Sequence, residues 1–238
     1  LVSHLTVSTD NAINSTEIST GTNVSGRGEA AARIALNIYN ANGLLKISLP
    51  SVVVSSDGTW STALTAAQLA LLGGDGSYLL KASQTDRAGN ISGESTLGFV
   101  IDIQGPRIPS GAELSEPNAA NNSGPWADVG GVTWGDLYTF NPLTGVNEPR
   151  TVVVNVALPT TGVDKVEVGN RVFLTWGSIK VSQELTQDDL TRGYAEVQLL
   201  GSQIEAAGIY TGLNVVAQLK DSVGNASPEY VVLQNINV

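Results

Sequence analysis

An all-β chain of two tandem antiparallel sandwiches is predicted by three features: runs that alternate apolar and polar residues, turn signals between the runs, and a repeat that returns the pattern 135 positions later. The repeat is clearest at Asp86-Arg87-Ala88-Gly89-Asn90, which returns as Asp221-Ser222-Val223-Gly224-Asn225. At the same offset, without gaps, Gly58 meets Gly193, Leu64 meets Leu199, Gln68 meets Gln203, Ala82 meets Ala217, Ser92 meets Ser227, Glu94 meets Glu229 and Ile101 meets Ile236. Units of that length are domain-sized. They divide the 238 residues into a first sandwich over 1–104 and a larger one over 105–238 with an irregular N-terminal segment.

Leu1 to Thr9 reads as a lead-in strand or the tail of a preceding repeat, and a polar segment with Asp10, Asn11, Asn14 and Glu17 follows. From Glu29 the pattern is clean: Ala32, Ile34, Leu36 and Ile38 point one way, Arg33, Asn37 and Tyr39 the other. Asn42-Gly43 marks a turn, Leu45, Ile47 and Leu49 alternate again, and Asp57-Gly58 is a second turn before Trp60. Thr65 and Gln68 have capping-box spacing, so a short helical turn is expected through Leu72, before the sixth strand; Ser202-Gln203-Ile204-Glu205 offers its counterpart. Tyr78, Leu80 and Ala82 lead into the Asp86 loop, and Leu97, Phe99 and Ile101 lead out of it. Asp102 to Pro106 reads as a linker. Residues 111–148, rich in Asn, Gly and Pro, show no assignable strands, and regularity returns with Val152, Val154, Val156 and Leu158 and again with Leu213, Val215, Ala217 and Leu219.

Composition excludes several function classes. With 42% hydrophobic and 14% charged residues the chain is globular rather than disordered. Its net charge of −10 opposes nucleic acid, which needs clustered Lys and Arg, and makes cations the natural small partners. No Cys means no disulfide, no thiolate zinc site and no cysteine nucleophile. His4 is the single histidine, and the Asp188-Asp189 pair is expected in a polar loop or on a strand that would point the two apart, so no enzyme is expected. No run approaches the ~18 apolar residues of a membrane span, so no direct membrane insertion is expected. The chain lacks Met altogether and reads as a piece of a longer protein, expected to be monomeric.

Strand parity then places the acidic groups. Seven strands per unit in an immunoglobulin-like arrangement reverse direction at each connection, between a proximal pole where the chain comes in and a distal pole where it leaves. On that count Glu29, Asp75 and Asp102 gather at the distal pole of the first unit, while Asp86 and Asn90 lie beside Asp10 at its proximal pole. Asp221 and Asn225 fall at the proximal pole of the second unit, and Glu148 at its distal pole. Crowded carboxylates repel by roughly 1 kcal/mol per close pair in water. Ca²⁺, which takes about 6 to 8 oxygen ligands, would relieve that, with neighbouring repeats completing the set. The plainer account of each Asp-x-x-Gly-Asn loop is a turn closed on its own aspartate.

Several motifs carry a resemblance: Asp57-Gly58-Thr59-Trp60-Ser61, Gly74-Asp75-Gly76-Ser77-Tyr78, Asp86-Arg87-Ala88-Gly89-Asn90, and Val100-Ile101-Asp102 before the linker proline. Together they resemble the bacterial Ig-like tandem repeats of large, type I-secreted, RTX-class biofilm adhesins, closely over 29–106 and more loosely over 150–238. The resemblance implies an extender in an extracellular adhesin on the bacterial surface, its partners the neighbouring repeats of the same chain, with junction Ca²⁺ at Asp102, Glu29 and Asp221 stiffening the array. Ser8 stands where such a repeat's incoming linker would carry Asp, and 111–148 follow no repeat pattern. The rival reading is a glycan- or protein-binding module built on Trp126, Trp134, Tyr138, Phe140 and Trp176, since exposed aromatic platforms bind sugars and partners. Core packing explains the same residues more cheaply.

Overall fold

In the computed structural model, which describes residues 2–109, 111–115, 137–207 and 213–236, the chain separates into two units, Leu1–Gln104 and Gly105–Val238. Both are built from strands with a few short helices in an immunoglobulin-like order.

In the first unit β1 (Ser3–Val7), β3 (Thr22–Arg27) and β6 (Thr59–Leu64) form one antiparallel sheet in the order β1-β3-β6. The facing sheet runs β2-β8-β7-β4-β5, from β2 (Ala12–Ile13), β4 (Arg33–Asn40), β5 (Leu45–Val53), β7 (Gly76–Thr85) and β8 (Ser95–Ile101), with β2 parallel to β8. Alternation becomes burial: Ile34, Leu36, Ile38, Leu80, Phe99 and Ile101 close the interior against Val24, Trp60 and Leu64. Each aliphatic side chain so buried contributes about 1.5–3 kcal/mol. Trp60 needs Gly26 opposite it, because a Cβ there would stand 2.6 Å from the indole ring.

β3 is the strand that the sequence pattern does not reveal. It buries only Val24 in six residues, so no period of two is visible in Thr22-Asn23-Val24-Ser25-Gly26-Arg27. Between β1 and β3 the helix α1 (Ser15–Thr20) is capped by Asn14, which exchanges bonds with Glu17. The helix α2 (Ala66–Ala70), capped by Thr65, precedes β7.

The second unit repeats this order. β9 (Ala112–Ser115), β12 (Thr151–Ala157) and β15 (Tyr194–Leu200) pair as β15-β12-β9, while β13 (Arg171–Trp176), β14 (Ile179–Glu184), β16 (Leu213–Lys220) and β17 (Tyr230–Ile236) pair as β14-β13-β16-β17. Val152, Val154, Val156, Leu174, Val197, Val215 and Leu219 form its core around Trp176. Among the described residues, a hairpin and a helix have no counterpart in the first unit. A hairpin of β10 (Tyr138–Asn141) and β11 (Val146–Pro149) is inserted between β9 and β12. A helix, α3 (Gln187–Arg192), replaces the Asp57-Gly58 turn. A last helix, α4 (Gly201–Ala206), stands at the position of α2.

Asp188 and Asp189 therefore start a helix; the expected loop or strand is corrected. Their placement has a capping logic: Thr186 is the N-cap, Asp189 returns a bond to its backbone N–H, and Arg192 one turn on pairs with Asp189 at 2.6 Å. The pair is structural, not an acid-base couple.

Candidate functional site

The two repeated loops share one geometry. In the first, the Asp86 carboxylate accepts the backbone N–H of Asn90 at 2.8 Å and its side-chain amide at 2.8 Å, while Asp86 N–H donates to the Asn90 carbonyl. Gly89 supplies the positive φ of 93° that lets the chain turn back. In the second, the Asp221 carboxylate accepts the N–H of Val223 at 3.0 Å, the N–H of Asn225 at 2.8 Å and the Asn225 amide at 2.9 Å, with Gly224 at φ 95°. Each is a clasp in which aspartate gathers donors from its own loop. The two differ in burial: Asn90 is exposed, whereas Asn225 is 1% exposed and locked beneath its loop. The Asn90 side-chain amide, followed by its backbone N–H, holds the Asp86 carboxyl below the usual range.

Strand registers assign the remaining acidic groups to poles. In the first unit Ser3 faces Arg27 and Arg33 faces Thr85, which sets the proximal end; Thr22 faces Leu64 and Gly76 faces Ile101, which sets the distal end. Asp75 and Asp102 lie together at the distal end, where Asp75 accepts the N–H of Ile103 at 2.8 Å. Asp86 and Asn90 lie at the proximal end. Glu29 is corrected: its N–H donates to the Gln84 side chain at 3.0 Å, so it sits beside the Asp86 loop and not with Asp75 and Asp102. Asp10 is corrected in the opposite sense: it lies in the turn between β1 and β2, whose Ile13 pairs with Ile101 near the distal end. Both corrections have one cause. That cause is the strand count: β1 already crosses the unit before Asp10, which places Asp10 in the first connection, and β3 crosses back before Glu29, which places Glu29 in the second.

In the second unit Arg171 faces Lys220, so Asp221 and Asn225 lie at the proximal end. There Gly105 backs onto the same loop, since a Cβ on it would stand 2.6 Å from the Ala226 carbonyl oxygen. Glu148 is on β11, accepting the Asn141 amide at 2.7 Å. Among the described residues no three His, Cys, Asp or Glu side chains gather as a metal-holding group within one unit. Asp75 and Asp102 supply two carboxylates at the distal end, fewer than the about 6 to 8 oxygen ligands that Ca²⁺ takes.

The aromatic group does not form one platform. Trp176 is 0% exposed at the centre of the second core, which removes it from any sugar-binding face. Trp126 and Trp134 lie outside the described residues. Tyr138 is half-buried at the hairpin base, where its hydroxyl bonds Glu205 and is pushed up by that carboxylate. Sequence reasoning missed the hairpin itself, although Asn141-Pro142-Leu143-Thr144-Gly145 is a turn signal that would have located it.

Against known proteins, residues 4–103 match the family model of the bacterial Ig-like domain. The matched residues span the first unit, whose strands follow an immunoglobulin-like order. Among solved structures the chain is similar to part of a 1.5-MDa bacterial ice-binding adhesin, at 21% identity over 95% of this chain and 60% of that one, with a TM-score of 0.41. It is also similar to fibronectin(III)-like modules of Clostridium thermocellum CbhA, at 14% identity over 98% and 93% of the two chains and a TM-score of 0.45. A bacterial immunoglobulin-like domain of the M. primoryensis ice-binding adhesin aligns with 43% of this chain and 97% of its own, at 23% identity and a TM-score of 0.28. The chain thus spans 60% of the length of the first of these structures. No curated protein matches the sequence.

Proposed function

We propose that the chain is an extender segment of a large bacterial surface adhesin: tandem modules that hold a distant adhesive part away from the cell, without enzymatic activity of their own. The observation that carries this reading is repetition. A module whose residues 4–103 match the bacterial Ig-like family is followed by a second unit with the same strand order. Secretion by a type I route, membership of the RTX class, a role in biofilm and an extracellular location on the bacterial surface belong to the same proposal. Labelling of intact parent cells with an antibody against this segment tests it; cells that stain only after lysis refute surface display.

The mechanical part of the proposal is Ca²⁺ at the joints. Support comes from Asp75 and Asp102, gathered at the distal end of the first unit, and from Asp221, at the proximal end of the second. Asp10 lies toward the same end as Asp75 and Asp102, while Glu29, Asp86 and Asn90 are left to a joint with a preceding module and Glu148 to one with a following module. Ca²⁺ would supply charge neutralisation; the protein's part is to present carboxylates whose other oxygens are already tied to backbone. A site held a hundredfold above its Kd adds about 2.7 kcal/mol. Melting the full chain in millimolar Ca²⁺ and then in chelator is the test. The expected result is a higher Tm in Ca²⁺ that is lost in Asp102→Ala; equal melting in both conditions ends the Ca²⁺ reading while leaving the extender reading in place.

A further inference from the structure

The inserted hairpin is a built projection with an apolar tip. Its base is fixed by Leu137, buried in the second core, whose carbonyl accepts the N–H of Arg150 at 2.7 Å. Arg150 in turn accepts the N–H of Gly201 at 2.8 Å. A Cβ at Gly201 would overlap the Leu137 carbonyl, so glycine is what lets the hairpin seat on α4. The matching position in the first unit, which lacks the inserted hairpin, is Ala66. The tip above this base is the reverse of a soluble turn: Leu143 is 94% exposed, Phe140 60% and Val146 58%.

Three observations choose the occupant. Phe140 pairs with Asn147 and Asn141 with Val146, so Phe140 and Val146 project from opposite faces of the ribbon with Leu143 at the turn between them. Apolar groups on both faces and at the end suit a medium that surrounds the tip rather than a flat surface laid against one side. The three side chains offer on the order of 400 Å², half the ~800 Å² per partner of a stable protein interface. Finally, no residue from Thr139 to Asn147 is charged, on a chain whose net charge is −10. Anionic surfaces would repel this protein, and nothing on the tip draws it to them.

We propose that the hairpin tip enters the interfacial layer of an uncharged lipid surface. Glu148 sets the depth: it faces Thr139, two residues below the Asn141–Val146 pair that closes the turn, roughly 7 Å at strand rise, within the ~5–10 Å to which interfacial segments sink. The hairpin goes no deeper, because the edges of an isolated ribbon carry backbone groups that hydrocarbon cannot satisfy. Such entry is distinct from spanning; among the described residues no helix is long and apolar enough to cross a membrane.

The test is co-sedimentation of the full chain with phosphatidylcholine vesicles. Binding is expected to be insensitive to salt and to fall by roughly tenfold or more in Leu143→Asp, the worth of one buried leucine. Since Leu143 is 94% exposed, the variant keeps the wild-type melting curve. No binding to neutral vesicles, binding only to anionic vesicles, or binding undiminished in Leu143→Asp overturns the proposal. Self-association that Leu143→Asp abolishes, with no lipid binding, assigns the tip to a second copy instead and overturns it too.

Discussion

Removing the Asp221 carboxylate is expected to destabilise the second unit far more than removing Asp86 destabilises the first, although the two loops are copies of one motif. In Asp221→Ala the backbone N–H and side-chain amide of Asn225 lose their acceptor at 2.8 and 2.9 Å, and Asn225 is 1% exposed, so water cannot readily replace it. A buried donor left without its partner costs about 1–3 kcal/mol, and two of them on one residue cost about 2–6 kcal/mol together. That is a large share of the ~5–15 kcal/mol that holds a domain folded, and corresponds to a Tm loss on the order of 10 °C. Asn90 makes the same bonds at an exposed site, where water substitutes, so Asp86→Ala loses less. Urea unfolding of both variants, following Trp60 and Trp176 fluorescence for the two units, measures the difference. A loss below about 0.5 kcal/mol in Asp221→Ala, or an equal or larger one in Asp86→Ala, would show that burial does not set the strength of the clasp.

Gly201→Ala is expected to cost about 1–3 kcal/mol, because the new methyl meets the Leu137 backbone and the hairpin base has to shift; a denaturation midpoint equal to wild type would contradict that seating. Acid should weaken the second unit through Asp189. Burial pushes its carboxyl upward, but the Thr186 N–H and hydroxyl and the Arg192 guanidinium outweigh this, and the net shift is down. A carboxyl lowered by folding contributes stability above its unfolded value of about 3.9 and loses it as pH falls through the lower folded one. Urea midpoints should therefore drop steeply below about pH 4, and Arg192→Ala should move that drop to higher pH; an unchanged acid limb would remove Arg192 from the account.

Much of the fold was legible because burial in a half-exposed strand writes itself as alternation. Ala32, Ile34, Leu36 and Ile38, and again Val152, Val154 and Val156, point inward as their spacing requires. Asp86 and Asp221 were legible for a different reason: a clasp is local, made of residues four apart, and local chemistry repeats with the sequence that encodes it. What failed to show was what depends on partners distant in the chain. β3 holds a single buried apolar side chain and is a strand because β1 and β6 flank it, and without it Glu29 falls at the wrong pole.

The sequence by itself determined that this is an all-β chain of repeated units with self-closing acidic loops, since period, turn chemistry and charge are properties of neighbours along the chain. Only the tertiary structure decided which carboxylates share an end, that Trp176 fills a core instead of facing a ligand, and that Gly201 seats a hairpin whose apolar tip stands clear of the sandwich. Those are contacts between residues tens of positions apart, and a contact of that kind leaves no period in the sequence to read.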